Sequence, residues 1–416
     1  LIEHLIKLEA YFARREPEVL AFVPEDGRFE RLRRDAEDLF RSFPDPAARP
    51  PLFGMPVGIK DIFNVDGLPT RAGTDLSPEL FFGPEASCVT RLKDAGALVF
   101  GKTVTTQFAY FAPGPTRHPL SVALGEVYTP GGSSSGSAAA VAAGFTPLAL
   151  GTQTIGSIIR PAAYCGVVGF KPSYGRIAMD GIIPLAPSID TTGFFVRTAA
   201  DAGLVASLLI SDWRRLAPTG RSPVMAIPIG PYLARASAEG LAHFRAVSAD
   251  LKSAGYAVLE VPVMYDFEDV YRCHNRLVAA EAARTHARWF ETYRKAYHPK
   301  TAELILRGRT VSEADYQRAL ASRMILREEI HRVMDRYGID FWICPAAVGP
   351  APRTLESTGD PVMALPWTHA GLPCVSLPAG GNSIGLPMGL QIVGRFGTDE
   401  ELVAKTESLS QNLLET

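Results

Sequence analysis

Two stretches decide how this chain is read: TPGGSSSGSAAAVAAG at residues 129–144 and LGTQTIGSIIRPAAYCGVVGFKPSYGRI at residues 150–177. Both are crowded with Gly, Ser, Ala and Thr and carry few charges. Small residues without charge suit backbone packed closely against other structure better than they suit a solvated linker. The run SAAAVAAG reads as a helix with Gly144 at its C-terminal end. Several serines lie in this segment, and no histidine does.

On either side the pattern is ordinary. Residues 1 to about 45 read as helices ended by the proline cluster Pro44–Pro51. Pro56–Val65 is strand-like and then turns, Ser87–Ala95 is a short amphipathic helix, and Gly96–Phe100 is a buried strand. Further on, VMAIP (224–228), Ala257–Val263, FWICP (341–345) and GLQIVGRF (389–396) have strand character. Ser237–Ala254 and most of Val270–Tyr337 have helical spacing. Strands interleaved with helices give an α/β class. No tandem repeat or low-complexity linker divides the chain. The expected organisation is one unit over 1–416, with residues 50–205 and 338–416 as its core and 206–337 as a helix-rich layer over the sheet.

Two short patterns match well-known signatures and fail on context. Gly96-ALVF-Gly101-Lys102-Thr103 fits a phosphate-binding loop, but Ala97–Phe100 is itself the strand, and a buried strand cannot wrap phosphate. Gly132-Ser133-Ser134-Ser135-Gly136 fits a nucleophile elbow centred on Ser134. That elbow needs a strand before it and an acid and histidine after it. EVYTP (126–130) is a poor central strand, and only Asp360 and His369 are on offer as partners.

An amide-cleaving serine needs a base. With no histidine nearby, Lys60 in GMPVGIKDIFNV (54–65) is the candidate. A lysine serves as base only when neutral, which requires lowering its pKa by ~3 units from ~10.4, equivalent to ~4 kcal/mol. Burial in an apolar site supplies shifts of that size. The competing reading is a surface ion pair between Lys60 and Asp61.

Taken together, the Gly-Gly-Ser-Ser block, the GTQTIGS block, the upstream Pro56-VGI-Lys60-Asp61, GFKPS (169–173) and GLPMGLQIVGRF (385–396) resemble the amidase signature family. The resemblance is strong over residues 50–200 and moderate over the last 60 residues. It implies a mixed, twisted β-sheet covered by helices on both sides. It also implies Ser157 as the acylating nucleophile, Ser133 as the proton relay after a cis peptide from Gly132, and Lys60 as the base. Backbone N–H groups of Thr154, Ile155, Gly156 and Ser157 are expected to form the oxyanion hole. Gly132, Ser134 and Arg160 are expected on the substrate side.

Many relatives carry glycine where Ile155 stands. A β-branched residue is strained if φ is positive there and merely narrows the pocket if φ is negative. Arg160, GTQT and STGDP (357–361) look like the malonamidase branch, in which an arginine holds the substrate's carboxylate. The loop Arg117–Tyr128 departs from that branch. Otherwise Arg160 is expected to pair with an internal acid such as Asp190. The alternative functions are the glutamine-hydrolysing subunit of a tRNA amidotransferase and a catalytically impaired binding protein.

The chain has 416 residues, 47% of them hydrophobic, enough for a large core. A net charge of −2 announces neither nucleic acid nor an acidic membrane as partner. Five scattered cysteines without CxxC spacing suit reduced thiols. The eight histidines form no metal-ligand spacing. The apolar stretch Ala138–Leu150 is broken by Gly144 and Pro147, well short of the ~18 residues of a membrane span. The first residues, LIEHLIKLEAYFARR, lack the basic start and apolar block of a signal peptide. The expectation is a cytoplasmic enzyme acting on a small-molecule amide without metal or cofactor, with a homodimer implied by the resemblance.

Overall fold

Ten strands form one mixed sheet in the computed structural model, which describes residues 1–214, 216 and 221–414. In chain order they are β1 (Pro56–Lys60), β2 (Leu98–Thr103), β3 (Leu148–Gln153), β4 (Val168–Lys171), β5 (Thr191–Val196), β6 (Val224–Ile229), β7 (Ala257–Pro262), β8 (Phe341–Pro345), β9 (Cys374–Gly381) and β10 (Pro387–Val393). Their order across the sheet is β2-β1-β3-β5-β4-β9-β10-β8-β6-β7. Parallel pairs lie towards the two edges, β2-β1-β3 at one and β8-β6-β7 at the other. The strands between them pair antiparallel.

Successive side chains of a strand point to opposite faces, and β8 shows both faces covered. Phe341 and Ile343 enter one core with Leu402 and Leu409 of the helix Asp399–Leu414. Trp342 and Cys344 enter a second core with Leu277, Leu304, Leu326 and Trp367. Helices therefore pack on both sides, as expected. The 206–337 segment is more than a helical layer: its β6 and β7 build one edge of the sheet. Residues 215 and 217–220 of that segment, and 415–416 at the C-terminus, lie outside the described residues.

The Gly/Ser/Ala run lies inside the protein, as its composition predicts. The helix Ser135–Ala142 is almost wholly buried. At Gly136 a Cβ would stand 2.1 Å from the Ala21 carbonyl oxygen and 2.4 Å from the Val104 nitrogen, so only glycine lets this backbone approach. At Gly151 a Cβ would stand 2.8 Å from Ser134 Oγ. These close approaches bring the serine-bearing loop onto the end of β3, beside the end of β1.

Candidate active site

Lys60 is the last residue of β1 and is completely buried. Its Nζ lies 2.8 Å from Ser133 Oγ and 2.8 Å from Thr152 Oγ1. The surface ion pair with Asp61 does not form. Asp61 pairs instead with Lys102 on the neighbouring strand, Nζ to Oδ1 3.0 Å, both side chains being buried. Lys102 also donates to the Phe63 carbonyl at 2.7 Å and to Thr70 Oγ1 at 2.9 Å. The lysine of the GxxxxGK pattern thus lies in β2 and serves a structural ion pair with the residue after β1. Removing one partner of such a pair leaves a buried charge uncompensated. Asp61→Ala should therefore destabilise the fold by about 3–5 kcal/mol, read from urea unfolding midpoints.

Lys60 itself has no carboxylate partner among the described residues, and its hydrogen bonds reach only hydroxyls. Burial pushes its ammonium down to about 7, opposed by the more distant charge of Asp190. A neutral amine held against a serine hydroxyl is a proton acceptor poised near working pH.

The peptide between Gly132 and Ser133 is cis. The Ser133 carbonyl accepts from Thr106 N at 3.2 Å and Thr105 Oγ1 at 3.3 Å, which fixes the backbone beneath the hydroxyl. Ser133 and Ser157 line the same narrow cleft, together with Ala109, Phe111, Thr154 and Arg160. Ser157 Oγ makes no hydrogen bond among the described residues. Ser134 does not line this cleft. Its hydroxyl donates to the Thr152 carbonyl at 3.2 Å and accepts from Thr152 N at 3.4 Å, tying the loop to β3. His369 lies elsewhere, 2.9 Å from Ser322 Oγ, so the elbow reading finds no histidine beside Ser134.

The loop from Gln153 to Ser157 is braced on three sides. Gln153 Oε1 accepts from the backbone nitrogens of Ile158 and Ile159, at 2.8 and 2.9 Å. Gln153 Nε2 donates to Thr368 Oγ1 at 2.9 Å, and that hydroxyl donates to the Ile155 carbonyl at 2.7 Å. Thr154 Oγ1 donates to Asp190 Oδ1 at 2.6 Å. The N–H groups of Ile155, Gly156 and Ser157 donate to no acceptor among the described residues, leaving them free to meet a developing oxyanion. Gly156 is tightly placed, since a Cβ there would stand 2.9 Å from Pro361 Cβ. Ile155 is not among the residues with left-handed backbone, so its branched side chain is unstrained and only narrows the pocket.

Arg160 is fully buried in the helix Ile159–Cys165. The expected pairing with Asp190 is absent. Asp190 instead accepts from Thr154 Oγ1 and from the nitrogens of Leu185 and Ala186, at 2.7 and 2.9 Å. Among the described residues Arg160 donates only to neutral acceptors: Gly359 O at 2.7 Å, Gly132 O at 2.6 Å and Thr358 Oγ1 at 3.1 Å. Its Nε has no partner among those residues. Gly132 thus contributes a carbonyl that anchors Arg160, rather than a wall of the cleft.

Reading the sequence missed Thr152 as the second partner of Lys60, the Gln153–Thr368 brace, and the walls Tyr110, Phe111, Thr358 and Pro361. Gln153 stood inside the quoted GTQT block, but its partner Thr368 is 215 residues away in sequence. Among the described residues no helix is long and apolar enough to cross a membrane.

The Amidase family profile matches residues 26–403. A glutamyl-tRNA(Gln) amidotransferase subunit from Geobacter sp. (strain M21) is 31% identical, over 85% of this chain and 82% of that one. Its counterpart from Synechococcus sp. (strain RCC307) is 32% identical, over 96% of this chain and 92% of that one. A solved structure described as an amidase is 33% identical, with a TM-score of 0.86 over 99% of this chain and 95% of that one. Peptide amidase from Stenotrophomonas maltophilia is 25% identical, with a TM-score of 0.80 over 99% of this chain and 93% of that one. Sequence profile, relatives and superposed folds agree, and the chain belongs to the amidase family of hydrolases acting on amide C–N bonds.

Proposed function

We propose that this protein hydrolyses a small carboxamide by acyl transfer through Ser157, with Ser133 as relay and Lys60 as base. The observation that carries the reading is the buried Lys60 amine, 2.8 Å from Ser133 Oγ and without a carboxylate partner among the described residues. In the neutral state the Ser133 hydroxyl donates to the lysine lone pair and accepts the Ser157 proton as Ser157 Oγ attacks the carbonyl carbon. The carbonyl oxygen becomes an oxyanion facing the free N–H groups of Ile155, Gly156 and Ser157. The lysine proton returns through Ser133 to the leaving nitrogen, the C–N bond breaks, and water repeats the sequence to release the acid. A fluorophosphonate probe, which labels an activated serine, tests this without knowledge of the substrate. The expected adduct is on Ser157, and an adduct on Ser134 would refute the assignment. The backbone of Ile155, outside the left-handed region, speaks against the impaired-enzyme reading.

The substrate side rests on Arg160. Its guanidinium is buried on the cleft wall; among the described residues it hydrogen-bonds only to neutral acceptors and its Nε has none, while the charge of Asp360 acts on it without a hydrogen bond. A buried cation gains most from an anion. A substrate carboxylate would provide one, in the manner of the malonamidase branch. Arg160→Gln should then lower kcat/KM for a carboxylate-bearing amide by about 2–4 kcal/mol and for its neutral analogue far less. Equal losses would assign Arg160 to the support of Gly132 alone.

A second reading has a specific observation behind it. The Geobacter and Synechococcus relatives are both subunits of a glutamyl-tRNA(Gln) amidotransferase. Under that reading the amide donor is glutamine, which also carries a free carboxylate for Arg160. Ammonia release from glutamine, compared with release from a small acidic amide lacking the amino group, separates the two readings.

A further inference from the structure

The cleft holding Ser157 shares walls with a larger, more open vestibule whose polar wall includes Lys300, Glu303, Arg307 and Asp360. Four residues line both spaces: Tyr110, Phe111, Ile155 and Pro361. They form the boundary that the two spaces share.

These walls are held firmly. The Ile155 carbonyl is fixed by Thr368, and a β-branched side chain has little freedom at χ1. The next residue, Gly156, lies against Pro361 with no room for a Cβ. Opposite, the rings of Tyr110 and Phe111 meet edge to face, with centroids 4.8 Å apart. Phe111 also lies 5.8 Å from the Arg160 guanidinium. The two residues before them, Phe108 and Ala109, have left-handed backbone, with φ of 50° and 58°. The Phe108 ring is buried 4.6 Å from His286 and 5.0 Å from Tyr297, which over-determines this unusual turn.

We propose that Tyr110, Phe111, Ile155 and Pro361 form a neck that selects substrates by cross-section. It admits an unbranched chain next to the scissile carbonyl and excludes a branched or cyclic one, while a polar remote end rests among the charges of the vestibule. Ile155 is the specificity-determining side chain, because it lines both spaces and its own backbone N–H is one of the oxyanion donors. The inference rests on the Ser157 reading and adds a substrate class to it.

The test uses two fluorophosphonate probes on the full-length protein, one with an unbranched alkyl group at phosphorus and one branched at the first carbon. One or two methyl groups excluded from a tight site change rates by about 10–200-fold. The parent should label with the unbranched probe at least about tenfold faster, and both Ile155→Ala and Pro361→Ala should shrink that ratio about tenfold, whatever their absolute rates. The unbranched probe reports in the same experiment that each variant has folded with a working serine. Equal labelling of the parent by both probes, or an unchanged ratio in both variants, would overturn the neck and leave Ser157 standing. Failure of the unbranched probe on the parent would remove the Ser157 reading, and the neck with it.

Discussion

Ser157→Ala should reduce amide hydrolysis by about 10⁴–10⁶-fold and abolish fluorophosphonate labelling, while the thermal unfolding midpoint stays close to the parent's. The size of the loss follows from the mechanism: without an acyl acceptor the lysine and relay serine have nothing to activate. The small effect on stability follows from the geometry. Ser157 Oγ makes no hydrogen bond among the described residues, so its removal leaves no buried partner unsatisfied. Ser134→Ala should behave in the opposite way. Its hydroxyl ties the loop to Thr152, so its loss costs about 1 kcal/mol of stability while labelling of Ser157 persists. Mass-spectrometric mapping of the adduct, with urea titrations of both variants, checks both halves. Labelling that survives in Ser157→Ala would defeat the assignment.

The second large effect is expected at Lys60. Lys60→Met keeps most of the buried volume and removes the base, and activity should fall by about 10²–10⁴-fold or more, as for loss of a general base. Partial recovery is expected at high pH, where hydroxide takes over proton removal. In the parent, kcat/KM should climb with pH and level off above about 7, the value to which burial pushes the ammonium. Stability should carry the same signature. The folded-state value of about 7 lies below the ordinary 10.5, so between these pH values the unfolded chain binds more protons than the folded one. Stability therefore rises with pH across that window, and below pH 7 the parent bears the full cost of the buried charge. Lys60→Met should accordingly be more stable than the parent at pH 6, with the advantage fading towards pH 10. A flat rate profile between pH 6 and 8, or a stability difference independent of pH, would show that Lys60 stays charged and serves only to hold Ser133.

Both experiments depend on features with different visibility in the sequence. Local chemistry was legible. The small, uncharged run at 129–144 announced a closely packed backbone, because only residues without bulk or charge tolerate contacts such as those around Gly136. FWICP and GLQIVGRF read as strands because β-branched and aromatic runs fit a pleated sheet with both faces covered, and they became β8 and most of β10. The order of the motifs was enough to name the family before any distance was known.

What the tertiary structure decided were the pairings. Lys60 and Asp61 are neighbours in sequence, and their charges alone suggest a surface pair. The strand ends at Lys60, the chain turns, and each side chain finds a different partner: Ser133 for the lysine and Lys102 for the aspartate. Arg160 and Asp190 likewise looked complementary, but Asp190 is filled by Thr154, Leu185 and Ala186 while the arginine faces carbonyls from residues 132 and 359. The conformation of Ile155, and its place in a neck with Tyr110, Phe111 and Pro361, also appears only once the chain is folded. The reason is general. Residue type and spacing determine which groups a segment can offer, because period, bulk and charge act locally along the chain. Which offered group is met, buried or left free depends on segments tens to some two hundred residues apart, and only packing brings those together.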